Sequence, residues 1–121
     1  MASKPEKPLP LDSLRLISDC DDEQSYVNRC LHLFVRDAQE DLNGISAAFE
    51  QNDLSQIARL AHRIKGASAS IRAEFLRQQA ALLEALGSRE EWTAANETFV
   101  RLQAEFEHFK NYIDTLPRDR D

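Results

Sequence analysis

Apolar residues recur at steps of three and four from Val27 through Leu31, Phe34, Ala38, Leu42, Ile45 and Phe49, which predicts one long helix with a single apolar stripe. The acidic cluster Asp21, Asp22 and Glu23 suits the positive end of that helix. Asn52 and Asp53 close it and open the next, since Asp53 can accept from amides of a new first turn with Gln56 at the reciprocal capping position. A second helix is expected from Leu54 to about Ile71. A third runs from about Ala73 to Leu86 and presents Phe75, Leu76, Ala80, Leu83 and Leu86, with Gly87 as its expected C-cap. Ser88 and Glu91 have the spacing of a capping box, and Trp92, Ala95, Phe99, Leu102, Phe106, Phe109, Ile113 and Leu116 then follow in a strict three-four alternation. Two long staves flanking two shorter helices form the pattern of an antiparallel four-helix bundle. Upstream, Asp12 or Ser13 can cap a short extra N-terminal helix carrying Leu14 and Ile17, lying across one end of the bundle.

Composition strengthens the all-α assignment. Fifteen Ala and fifteen Leu stand against three Val, three Thr and six Ile, and no proline falls between Leu11 and Leu116. Residues 1–10 and 117–121 read as tails around a single bundle domain over 11–116. A chain of 121 residues buries enough surface to fold without disulfide, metal or partner. Its net charge of -6 is the wrong sign for binding nucleic acid. No apolar run approaches the roughly 18 to 20 residues needed to cross a bilayer, and the start MASKPEKPLP lacks the apolar segment of a secretory signal, so a cytoplasmic location is expected. A monomer is expected, and the natural-looking start and two short tails favour a stand-alone protein over an excised piece, an alternative the sequence leaves open. Cys20 and Cys30 have neither metal nor redox spacing; Cys30 is expected as a small core residue.

Chemistry concentrates on the helix from Leu54. On a wheel of about 100° per residue, Ile57, Leu60, Ile64 and Ile71 fall opposite His62, which therefore points to solvent. Its own face carries Ser55, Ala58, Gly66 and Ala69, with Arg59 and Lys65 at the flanks. Small residues on an outward face suit the close approach of another protein, and Gly66 in mid-helix costs about 1 kcal/mol relative to Ala. Residues 54–83 hold Arg59, Arg63, Lys65, Arg72 and Arg77 against the single acid Glu74. Such a basic island suits an anionic group brought to the imidazole, and like charges should favour its neutral, nucleophilic form.

The run AHRIKGASASIRA, Ala61 to Ala73, with FLRQQAALLE behind it, resembles the histidine phosphotransfer (HPt) domain family of multistep two-component phosphorelays. The resemblance spans roughly residues 23–115 and rests on His62, Lys65 three residues on, Gly66 next, and Ser68 two further. It implies that His62 is the phosphoacceptor, attacking the aspartyl phosphate of a receiver domain and passing the group to another receiver's aspartate. Lys65 would offset phosphate charge, Gly66 would leave space for the receiver, and Ser68, which the wheel turns inward, would pack or bond to the preceding turn. Partners would be receiver domains of hybrid sensor kinases and response regulators, docking around Ser55, Ala58, Arg59, Arg63, Gly66, Ala69 and Arg72. The receiver would bring Mg²⁺; the chain would need no cofactor and act as a carrier rather than an enzyme. Many members carry glycine where this chain has Arg72, which leaves the geometry of that turn open and makes Arg72 a candidate partner contact.

Rival constellations are weaker. Glu105 and His108 have the Glu-x-x-His spacing of di-iron bundles, but no second such pair exists and Phe106 and Phe109 take the inward positions, so no metal site is expected. His32, beside the core stripe, reads as a boundary residue. Neither a Gly-rich phosphate loop nor a catalytic triad signature is present. The competing reading is a helical adaptor that docks a receiver or kinase without being phosphorylated.

Overall fold

Three turns of one design join four helices. In a computed structural model, which describes residues 23–117, these are α1 (Glu23–Glu50), α2 (Leu54–Ser70), α3 (Glu74–Ser88) and α4 (Trp92–Asp114), with no strand among the described residues. The expected N-terminal helix, with Asp12, Ser13, Leu14 and Ile17, lies outside the described residues. After each of α1, α2 and α3 one residue turns left-handed, at φ 57° in Asn52, 63° in Arg72 and 59° in Glu90. Its amide then reaches back three residues, to Phe49, Ala69 and Gly87 respectively, while the next amide reaches back five, from Asp53 to Ala48, Ala73 to Ser68 and Glu91 to Leu86. This is the Schellman pattern, which satisfies the last carbonyls of a helix and reverses the chain at once.

Short reversals make sequential helices antiparallel, and contacts run α1 to α2, α2 to α3, α3 to α4 and α4 back to α1, with none across the diagonals. The α2–α3 interface is the most extensive and the α1–α4 interface the sparsest. The core is the predicted stripe almost throughout: Val27, Leu31, Phe34, Ala38, Leu42 and Ile45 on α1, Ile57, Leu60 and Ile64 on α2, Leu76, Ala80, Leu83 and Leu86 on α3, Ala95, Phe99, Leu102, Phe106 and Ile113 on α4. At one end Phe49 stacks on Phe99 and meets Trp92 edge-on; lower down Phe34 meets Phe109 edge-on, with centroids 5.6 Å apart.

Several expectations are corrected. Gly87 is not a C-cap: it lies inside α3, buried, and the left-handed residue after that helix is Glu90. Ser88 and Glu91 do not form a capping box, because Ser88 still belongs to α3 and Glu91, the N-cap of α4, makes no side-chain capping bond. The backbone Schellman bonds do that work instead. The Asp53 cap holds, its carboxylate accepting from the Gln56 amide at 3.1 Å, but Gln56 spends its own carbonyl on Arg59 rather than returning the bond. Phe75 stands outward because its neighbour Leu76 takes the inward position, and Trp92, the first residue of α4, is partly exposed at the bundle's end. Cys30 is half-buried at the core's edge rather than inside it. His32 is a boundary residue, with Nε2 3.3 Å from the Leu116 carbonyl oxygen.

Candidate functional site

α2 and α3 form the hairpin that builds the site. Ile57, Leu60, Ala61, Ile64 and Ser68 face the core from α2, and the opposite face is thereby turned to solvent. His62 stands there with 63% of its side chain exposed. Ser55, Arg59, Arg63, Gly66, Ala69 and Arg72 are likewise exposed, and Ala58 and Lys65 are partly so. A Cβ built on Gly66 meets nothing within 4 Å, so packing inside the bundle gives no reason for a glycine there. Ser68 points inward as the wheel requires, fully buried, yet its Oγ bonds to nothing among the described residues; it packs and does not cap the preceding turn. Arg72 keeps the interhelix turn intact despite lacking glycine, adopting the left-handed φ of 63° itself.

Glu84 is the residue the sequence reading missed. It projects from α3 with one oxygen on each of two α2 side chains: Oε2 lies 3.0 Å from Nδ1 of His62, and Oε1 lies 2.8 Å from Nζ of Lys65. The Lys65 bond, with the His62 bond and the lysine charge in support, holds the Glu84 carboxyl below the ordinary 4.5 against the opposing effect of partial burial. The basic window that closed at residue 83 stopped one position short. The signal was available in the hairpin itself: reflecting α2 about the turn at Ala73 places His62 opposite Glu84.

That carboxylate corrects the expected electrostatics. The charge nearest the imidazole is negative, not a set of like charges. Cations counted as an island are paired with acids: Lys65 with Glu84, Arg63 with Asp41 of α1 at 3.4 Å, and Arg77 with Glu74 one turn before it. Burial raises the Asp41 carboxyl above the ordinary 3.8, the Arg63 charge working against it. On α4, Glu105 and His108 are both exposed and Phe106 is buried, so the Glu-x-x-His pair faces away from the core. No group of three or more His, Cys, Asp and Glu suited to a metal ion occurs among the described residues.

An exposed histidine followed at three and four residues by Lys65 and an unpacked Gly66, on the second helix of an antiparallel bundle, is therefore the feature to place. A sequence model of the Hpt domain matches residues 29–116. The chain belongs to the Hpt domain family. Among solved structures it is similar to the histidine-containing phosphotransfer protein B (HptB) of Pseudomonas aeruginosa PAO1, with a TM-score of 0.70 and 26% identity over 88% of this chain and 96% of that one. No curated protein matches it significantly. Hpt membership assigns a phosphotransfer role in two-component signalling, as a phosphocarrier working with receiver domains. No helix among the described residues is long and apolar enough to cross a membrane.

Proposed function

We propose that this Hpt chain is a phosphorelay intermediate in which His62 accepts a phosphoryl group from the aspartate of one receiver domain and passes it to the aspartate of another. The observation that carries the reading is the exposed His62 ring beside Gly66, whose surroundings are empty to 4 Å. A ring nitrogen attacks phosphorus, the N–P bond forms as the acyl P–O bond breaks, and the bond's electrons leave on the aspartate carboxylate. The return step reverses this on the second receiver. Such transfers run through a loose transition state, so the bundle's contribution is alignment and charge placement.

Lys65 supplies a cation one turn along α2 that can offset phosphate charge, and Ser55, Ala58, Arg59, Arg63, Gly66, Ala69 and Arg72 form the face a receiver meets. The receiver brings Mg²⁺ and its acidic pocket. The chain acts in the cytoplasm as a monomer, on hybrid kinases and response regulators.

A two-receiver assay tests this. A receiver domain carrying labelled aspartyl phosphate is mixed with a second, unlabelled receiver, with and without the chain. Label should cross only when the chain is present and should not cross with His62→Gln. Receivers that bind the chain, with no label crossing for wild type or variant over a panel of them, would establish the adaptor reading instead.

A further inference from the structure

Asp41, on α1, reaches the edge of the α2 face that carries His62. We propose that this edge is an arginine pair, Arg59 and Arg63, which reads acidic side chains on the receiver, and that Asp41 is the positioning residue that presents Arg63 to them. The proposal rests on the reading of this face as the receiver's landing surface and names the chemistry it selects there.

Placement carries the assignment. Arg59 and Arg63 are four residues apart on α2, so their side chains are neighbours along one edge, and both are exposed. Each is tethered from behind: Nε of Arg59 donates to Oε1 of Gln56 at 3.0 Å, and Nη2 of Arg63 lies 3.4 Å from Oδ1 of Asp41. Arg63 stands about 100° round the helix from His62. Asp41 draws it toward α1 and away from the ring, whereas Lys65 occupies the other flank, bound to Glu84 of α3. Arg63 is therefore set to meet a protein surface rather than the phosphoryl group. A guanidinium fork matches a carboxylate in shape and charge, and 59% of the Arg63 side chain is open to one.

Stability does not account for the arrangement. Like charges at this spacing on a helix repel. The Asp41 side chain is only 13% exposed. Its burial, with the like charges of Asp37 and Glu40, holds the carboxyl above the ordinary 3.8 against the pull of Arg63 and Arg59. A carboxyl raised in this way is one the fold favours protonated, so at neutral pH its charge works against folding. What the charge provides is orientation. It orders a long side chain before the receiver arrives, so less freedom is lost on docking.

The test uses the full chain, a receiver whose aspartyl phosphate labels it, and potassium phosphoramidate, a donor that needs no docking. The variants are Arg59→Gln, Arg63→Gln, Asp41→Asn and the double variant of the last two. Each single variant should lower labelling by dilute receiver, relative to labelling by phosphoramidate, about 3- to 10-fold, with the loss in KM for the receiver. The double variant should match Arg63→Gln alone, because Asp41 acts through that side chain. Added salt should weaken the docking of wild type more than that of either arginine variant. At neutral pH, Asp41→Asn should unfold in urea at or above the wild-type midpoint, an outcome a merely structural carboxylate would not give. Charge counting alone predicts the reverse for docking, since Asp41→Asn leaves the edge more positive; a lowered KM in that variant would overturn the proposal. So would an unchanged ratio in any single variant, or losses that multiply in the double one. Failure of the underlying reading looks different: the wild-type chain would take no label from any receiver, or His62→Gln would label as well as wild type.

Discussion

Gly87 packs against Ala58, the position of a Cβ on the glycine lying 3.5 Å from the alanine Cβ, one turn from His62 along α2 and one turn from Glu84 along α3. This close approach of the two helices is what lets a side chain as short as glutamate bridge to the imidazole. An added methyl at 3.5 Å is an ordinary contact, so Gly87→Ala should fold with equal or greater stability, gaining up to about 1 kcal/mol of helix propensity. Gly87→Leu should cost about 1 to 3 kcal/mol by overpacking and, by wedging α2 from α3, slow phosphoryl transfer. Urea unfolding and a labelling rate on the same samples check both halves.

Gly66 should separate stability from function. With nothing within 4 Å of an added Cβ, Gly66→Ala should stabilise the free chain by about 1 kcal/mol. Transfer from a receiver should slow, and more so in Gly66→Leu, while labelling by phosphoramidate stays at the wild-type rate. A receiver-dependent rate unaffected by leucine would show that no partner approaches this face.

Arg72 occupies a left-handed position at φ 63° that costs an L-residue about 1 kcal/mol and glycine nothing. Arg72→Gly should therefore be more stable than Arg72→Ala, which lacks the same guanidinium but keeps the strain, by about 0.5 to 1 kcal/mol in chemical unfolding. Slower transfer in the more stable glycine variant would mark the guanidinium as a receiver contact.

Acid should unfold the chain with two opposing contributions near the site. The Glu84 carboxyl is held below its ordinary 4.5, chiefly by Lys65, so its stabilisation is complete above that value and disappears as pH falls through the lower folded value. The Asp41 carboxyl is raised above 3.8 by burial, so in that window the folded state holds the extra proton and stability increases as pH falls. Unfolding midpoints in urea from pH 6 to pH 3 should therefore decline less steeply in Glu84→Gln and more steeply in Asp41→Asn than in wild type.

The bundle was legible because each helix writes its core as one stripe, and the exposure of His62 followed from Ile57, Leu60 and Ile64 taking the other side of the wheel. The turns were less so. Gly87 and the Ser88/Glu91 pair imitate capping signals, whereas the residues that turn left-handed are Asn52, Arg72 and Glu90, two of them types that disfavour the conformation. What fixes those turns is the backbone bond from the residue after each, as from Ala73 to Ser68, and side-chain identity does not record it. Glu84 was missed for a related reason: a residue 22 positions from His62 becomes its neighbour only through the register of the hairpin.

The most direct measurement is the chemical location of the transferred group. After incubation with a receiver carrying aspartyl phosphate, the chain is digested under alkaline conditions and the phosphopeptide sequenced by mass spectrometry. Acid-labile phosphate is expected on His62, and none in His62→Gln. Phosphate on any other residue, or undiminished in that variant, would contradict it.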